Sequence, residues 1–251
     1  MVVAPTPVLV RSFGALIPLQ PVRWTAGGLV CAPDLAPEPV WDCPLPMRAV
    51  PRPALVADRP ARLLAGWYHR SDVHAPAPAG FPELVQPPGE GFGMADHPTT
   101  GMCLAAIWDL PDTDALDIGC GAGLLTLAWC QAKRGRASGF DADPHAIAHA
   151  RRSAALHGLD GEALFTTGRI EALTGADLTG RTLLVNLPPV AHDVLATRLE
   201  GSAPRAAVLS GFTARDRDRV LDPYRRLGLR RVRVMRRGRY ECHVLVDGGS
   251  S

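Results

Sequence analysis

One stretch constrains this chain more than any other: residues 115 to 143, ALDIGCGAGLLTLAWCQAKRGRASGFDAD. A short apolar strand, ALDI, leads into the glycine turn Gly119-Cys120-Gly121-Ala122-Gly123. An apolar helix then runs to about Lys133, and a second strand, ASGF, ends on Asp141. Glycine lets the main chain approach a ligand closely, and the helix that follows aims its free N–H groups at whatever lies there. Asp141 stands 18 residues after Gly123. At that place a carboxylate can accept hydrogen bonds from the two hydroxyls of a ribose, at the opening of a doubly wound sheet. The pattern is that of a nucleoside-binding half-site.

The spacing narrows the choice of nucleoside. A dinucleotide fingerprint reads G-x-G-x-x-G, with its last glycine inside the helix. This chain has G-x-G-x-G, with Asp117 two residues ahead of the first glycine and Leu124-Leu125 where the later dinucleotide glycine would fall. It also lacks the G-x-x-x-x-G-K-[ST] loop that grips phosphates. The form resembles motif I of the class I methyltransferases, which bind S-adenosyl-L-methionine, a cofactor with no pyrophosphate to cradle. That resemblance implies an α/β fold, a Rossmann-like seven-strand class I methyltransferase sheet.

A length of 251 residues, 47% hydrophobic and 21% charged, suits one ordinary domain with a smaller appendage and excludes general disorder. No apolar run reaches the roughly 20 residues of a membrane span, and prolines at 5, 7, 18 and 21 interrupt any signal-peptide core. A cytoplasmic protein without a membrane partner is expected. The six cysteines form no C-x-x-C pair and read as free thiols in a reducing compartment. His145 and His149 stand four apart on an expected helix, but no third ligand accompanies them. They are expected as solvated helix residues, with no metal.

Eighteen of the 24 prolines precede residue 99, which divides the chain into a proline-rich, β-leaning N-terminal region, 1–85, and a catalytic domain, 86–251. Within the first, VLVRSFGALIPL, GGLVCAP and ALVADRP read as strands cut by turns, and ARLLAGWYH as a brief helix or strand. In the second, ALFTT, TLLVN and AAVLS are short apolar runs separated by helical segments, as parallel strands buried on both faces should be. A polar helix over 213–227 follows. RVRVM and YECHVLV then form an antiparallel hairpin at the sheet edge.

Ahead of the glycine turn lies Gly91-Phe92-Gly93-Met94-Ala95-Asp96-His97-Pro98-Thr99-Thr100, with Asp96 or Thr99 the expected cap of a helix starting near Thr100. GFGMADHPTT resembles the F-G-T-G-x-H-P-T-T element of the bacterial ribosomal-protein methyltransferases of the PrmA type. The likeness continues in order through ALDIGCGAGLLTLA, FDADPHAIAHARRSAALHG, LLVNLPP, AVLSGF and GRYECHVL, and covers residues 90 to 246. It implies that Asp117, Gly119, Cys120, Gly121 and Gly123 surround the methionine moiety. It further implies that Asp141, with Ala142 beside it, holds the ribose, and that Phe92 with Thr99 or Thr100 closes over the cofactor. Two departures bear on substrate. Met94-Ala95 replaces the family's T-G, and the proline-rich first 80 residues show no likeness to the family's recognition domain.

Methyl transfer from a sulfonium is an in-line displacement in which the protein mainly positions the nucleophile. Asn186 is the expected catalytic residue, at the carboxyl end of the fourth strand of the sheet, where its amide oxygen can accept a bond from an incoming amine. Leu187 and Pro188 adjoin it as acceptor-binding residues, with Met94 opposite. Asn186-Leu187-Pro188-Pro189 is similar to the N-P-P-[YF] tetrad of nitrogen methyltransferases, but with an inserted leucine and Val190 in place of the aromatic. The prolines stiffen the loop and leave nearby carbonyls open to a second amine hydrogen. His97 is the candidate base, with a structural role as its rival. The acceptor is expected to be an amine of a protein, peptide or small metabolite.

Eleven arginines against five carboxylates over residues 213 to 251 raise RNA or DNA as an alternative substrate. No aromatic residues interleave with them to stack bases, which argues against it. A cofactor-binding module without turnover is the remaining alternative.

Overall fold

The computed structural model of the protein describes residues 9–12, 15–18, 24–25, 28–29, 62–72, 76–87, 97–133 and 135–249. The chain divides into two compact units between Arg59 and Pro60. In the first, β1 (Leu9–Ser12) pairs antiparallel with β2 (Ala15–Pro18), and β3 (Trp24–Thr25) with β4 (Gly28–Leu29). The run VLVRSFGALIPL, expected as strand cut by turn residues, holds both strands of a hairpin, while ALVADRP lies outside the described residues.

The second unit begins with a three-stranded sheet. Antiparallel β5 (Arg62–Leu64) and β6 (Trp67–Ser71) are joined at Ala65-Gly66, both at positive φ, so ARLLAGWYH forms a hairpin. β7 (Glu83–Gln86) lies parallel to β6. The unit boundary falls ahead of the expected 85/86 division because this small sheet packs on the domain behind it. Trp67 is fully buried and stacks on Trp108 at 4.9 Å between ring centroids. Gln131 Nε2 donates to Glu83 O (2.9 Å), and Val85 N donates to His157 Nε2 (2.9 Å).

The main sheet has seven strands: β8 (Ala115–Ile118), β9 (Ala137–Asp141), β10 (Ala163–Thr167), β11 (Thr182–Asn186), β12 (Ala206–Thr213), β13 (Leu229–Arg237) and β14 (Tyr240–Asp247). Their spatial order is β10-β9-β8-β11-β12-β14-β13. The first five are mutually parallel, and β14 enters antiparallel between β12 and the edge strand β13. Successive side chains alternate between two apolar layers: Leu184 and Val208 face one, Leu183, Val185 and Leu209 the other. Burial on both faces is why these strands are near-continuous in apolar residues.

Helices α1 (Pro98–Ile107), α2 (Leu124–Lys133), α3 (Pro144–His157), α4 (Gly175–Leu178), α5 (Pro189–Ala196) and α6 (Arg217–Arg226) lie between the strands. Two local rules set the entry and exit of α3. Asp143 accepts from His145 N (2.8 Å) with Pro144 in the first turn, and Gly158 ends the helix at φ 65°. His149, expected as solvated, is buried, and its Nε2 hydrogen-bonds Pro87 O at 2.8 Å. His145 on the same helix is exposed. The two rings therefore do not share a surface.

Candidate active site

Chain order runs outward from β8 in both directions, to β9 and β10 on one side and to β11 and β12 on the other. At that reversal the connections leave toward opposite faces of the sheet and open a crevice at the carboxyl ends of β8 and β11. Gly119, Gly121 and Gly123 all have positive φ, at 71°, 53° and 82°, a conformation that a side chain would strain. The turn is held from both sides. Gly119 N and Cys120 N donate to Phe140 O (2.9 and 3.0 Å), and Gln86 Nε2 donates to Ala122 O (3.1 Å).

The two expected acidic residues stand at opposite ends of this turn. Asp117 is buried in β8, and its Oδ2 accepts from Thr126 Oγ1 (2.7 Å) and Thr126 N (3.1 Å), tying the strand to α2. Burial pushes its carboxyl up to about 7, against the opposing pull of the Thr126 bonds, and the nearby Asp141 adds to the rise. Asp141, half-buried at the end of β9, faces back toward the turn: its Oδ2 accepts from Gly121 N (2.9 Å) and its Oδ1 from Asp143 N (2.9 Å). Ala142 beyond it is exposed. Gly123 sits beneath the turn, where a Cβ would overlap Phe165 and Ala150, so it allows close packing of α2.

Across the crevice, Asn186 ends β11. Its Nδ2 donates to Thr100 Oγ1 at 3.5 Å, while its buried Oδ1 has no partner among the described residues. A buried carbonyl oxygen without a donor is costly, and such groups mark places where a ligand or water completes the bonding. Thr100, Asp117, Gly119, Cys120, Gly121, Leu124, Leu125 and Asn186 line one small cleft of about 20 Å³, space for roughly a single water. Leu187 narrows the crevice, since a Cβ on Gly119 would overlap its side chain.

Gly211 fixes Leu187 from below. It has φ 91°, and any Cβ there would overlap the Leu187 backbone, whose N–H donates to Ser210 O (3.1 Å). His192 Nε2 contacts the same Ser210 carbonyl at 2.9 Å. Sequence reasoning missed Gly211 as a positioning residue. The signal available was a glycine directly after the apolar run AAVLS, inside the strand that pairs with the one ending on Asn186. The carbonyls expected to stay open behind the prolines are partly used: Pro188 O accepts from Ala191 N and His192 N (3.0 and 3.3 Å) to start α5. Pro188 itself is exposed.

Thr99 does not cap α1. His97 does, its Nδ1 lying 2.7 Å from Thr99 Oγ1 and accepting from Thr99 N (3.4 Å). The imidazole offers the acceptor that an Asp side chain supplies elsewhere, and Pro98 in the first turn sets the helix φ. His97 also meets the Tyr240 ring edge-on at 4.6 Å. Burial first, and the Arg239 charge second, lower its pKa below the usual histidine value. Thr99 is buried behind it. Phe92, Met94 and Asp96 lie outside the described residues.

A second charged assembly was not anticipated. Glu241, nearly fully buried in β14, accepts from Arg217 Nε (2.6 Å) and Arg217 Nη2, and from Arg236 Nε (2.8 Å), and it meets His243 Nε2 at 2.9 Å. These bonds, led by Arg217, hold its carboxyl far below the usual carboxylate range. Other basic residues of the region are also paired, Arg233 with Asp109 and Arg225 with Asp218 and Asp222.

Comparison with known proteins agrees with this architecture. A solved ribosomal protein L11 methylase from Lactobacillus delbrueckii subsp. bulgaricus superposes with a TM-score of 0.62 at 17% identity, over 72% of this chain and 95% of that one. That likeness shows the fold, a seven-strand Rossmann-like α/β sheet of the methyltransferase class. A ribosomal protein L11 methyltransferase of Geobacter metallireducens is 33% identical over 166 residues, 64% of this chain and 53% of that protein. One of Myxococcus xanthus is 33% identical over 159 residues, 62% of this chain and 54% of that protein. Residues 84–246 match the family model of ribosomal protein L11 methyltransferase (PrmA), and the chain belongs to that family. It spans about half the length of the curated relatives it matches.

Proposed function

We propose that this chain is an S-adenosyl-L-methionine-dependent methyltransferase acting on an amine nitrogen carried by a protein. The observation that carries the reading is the buried, unpartnered Oδ1 of Asn186, across the crevice from a turn whose three glycines all have positive φ. The residues fit the cofactor on the structure's own terms. The turn allows close main-chain approach, Asp141 stands beside it with lone pairs left for two hydroxyls, and the orphaned amide oxygen awaits a donor. Gly119, Cys120, Gly121 and Asp117 would hold the methionine end, Asp141 the ribose. Bound there, the cofactor supplies a methyl group already activated by its sulfonium charge.

The protein's own contribution is positional. Thr100 holds the Asn186 amide through Nδ2, which leaves Oδ1 to accept one amine N–H and so orient the nitrogen lone pair. Proximity and orientation of this kind are worth several kcal/mol of barrier. His97 carries its structural role through the α1 cap, and a neutral ring, favoured by its lowered pKa, suits that role. Leu187 must yield for a ligand to enter, because it lies against Gly119. A protein acceptor agrees with the substrate named for the relatives.

Calorimetry with S-adenosyl-L-methionine, followed by transfer of a radiolabelled methyl group to protein acceptors, tests the reading. Binding with transfer to nitrogen is the expected result. Absence of binding would overturn it, and binding without transfer to any amine would leave a cofactor-binding module.

A further inference from the structure

The carboxyl edge of the sheet holds a second and larger concavity, about 710 Å³, lined by Thr213, Arg215, Arg217, Arg236, Arg239, Tyr240 and Glu241 among others. Four guanidiniums thus face one carboxylate, and that carboxylate is already saturated. Oε1 of Glu241 takes Arg217 Nη2 and Arg236 Nε, and Oε2 takes Arg217 Nε and contacts His243 Nε2. Glu241 therefore serves as an anchor that fixes two arginines by one side. Among the described residues, Arg217 Nη1, both terminal nitrogens of Arg236 and the Arg215 guanidinium have no hydrogen-bond partner. Among the described residues Arg239 gives one hydrogen bond, to Tyr240 Oη (3.1 Å), and it lies over that ring.

The concavity is close to the crevice. Asn186 pairs in register with Ser210, and Thr213, three residues further along β12, pairs with Tyr240. At about 3.3 Å per residue the two sites are about 10 Å apart. Thr100, which holds Asn186, follows the His97 that packs on Tyr240.

Resting on the methyltransferase reading above, we propose that this pocket is a specificity subsite for a carboxylate of the acceptor protein, an Asp or Glu about three residues from the methylated amine. The distance is that of about three extended residues. Forked guanidiniums match a carboxylate in geometry and charge, and fixing two of them in advance lowers the entropy lost on binding. The bases of a single-stranded nucleic acid find no platform here: Tyr240 is the one aromatic lining the pocket among the described residues, and His97 and Arg239 already occupy it, so no ring is open to stack a base.

The test uses the full chain and fluorescein-labelled hexapeptides with a free N-terminal amine, carrying either Asp or Asn at the fourth residue. Anisotropy titration should show tighter binding of the Asp peptide, weakened about tenfold by the Arg215→Ala, Arg239→Ala double variant and less by Arg215→Lys. The preference should shrink as salt is raised. Unchanged melting of the variants keeps folding out of the comparison, and cofactor calorimetry on the same samples reads the methyltransferase assignment separately. Equal binding of the two peptides, or an Asp preference undiminished by loss of both arginines, would overturn the subsite. Arginine-dependent binding of a single-stranded RNA, with no Asp preference, would do the same in favour of nucleic acid.

Discussion

The crevice at the β8–β11 reversal and the arginine pocket at the hairpin lie on one edge of the same sheet, yet they are built by opposite means. The crevice is made of main chain and small residues: glycines at positive φ, a turn pinned to Phe140 O, one amide oxygen left over. The pocket is made of long charged side chains from three elements, organised by one buried carboxylate. Backbone-built sites are narrow and intolerant of substitution, whereas side-chain-built sites are roomy and can be altered one guanidinium at a time. A fixed reaction beside an adjustable choice of substrate is the division of labour this contrast suggests.

The contrast is broken first where the crevice depends on glycine. Gly211→Ala should be the most damaging change, since its Cβ would enter the Leu187 backbone from a positive-φ position. About 3 kcal/mol of stability should be lost in denaturant unfolding, and transfer should fall with it because Asn186 shifts. Glu241→Ala should cost about 2 kcal/mol, less than a fully buried pair would, because Arg217 and Arg236 reach water. It should weaken an acidic acceptor while sparing the cofactor, and an equal loss of both would merge the two sites into one. Asn186→Ala should slow transfer about tenfold, about 1.4 kcal/mol, with cofactor affinity and melting nearly unchanged.

The smallest effect is a slope. Asp117 has a folded pKa of about 7 against an ordinary 3.8. Its contribution is therefore present below the unfolded value and lost as pH rises through 7. His149, His157 and His192, whose pKa values are lowered by burial, act in the opposite sense and gain stability as pH rises. The measurable quantity is thus the difference between wild type and Asp117→Asn, which keeps an oxygen for Thr126. The variant should gain on the wild type between about pH 4 and 7, and a flat difference there would place the ionised carboxylate comfortably in its site.

Much of the crevice was legible in the sequence because backbone conformation is written locally. Glycines at 119, 121 and 123, the aspartate at the end of β9 and the asparagine at the end of β11 each declare a main-chain geometry within a few residues. The hairpin of β13 and β14 was legible for the same reason. What the sequence hid depends on partners far along the chain. His97 took the place of Thr99 as the cap because nothing in a string of residues shows which side chain bends back. His149 looked solvated until Pro87, 62 positions away, came to meet it. Glu241 gave no sign in the sequence of Arg217, 24 positions earlier on α6, which closes on it.

The small β5–β7 sheet has a practical corollary. Residue 84, where the family match opens, lies inside β7, so a cut made there would unlace that strand from β6, bare Trp108 to water and release Gln86 from the Ala122 carbonyl. The shortest fragment that keeps its glycine loop propped should start before Arg62. Anyone trimming the protein to the family match would remove that buttress.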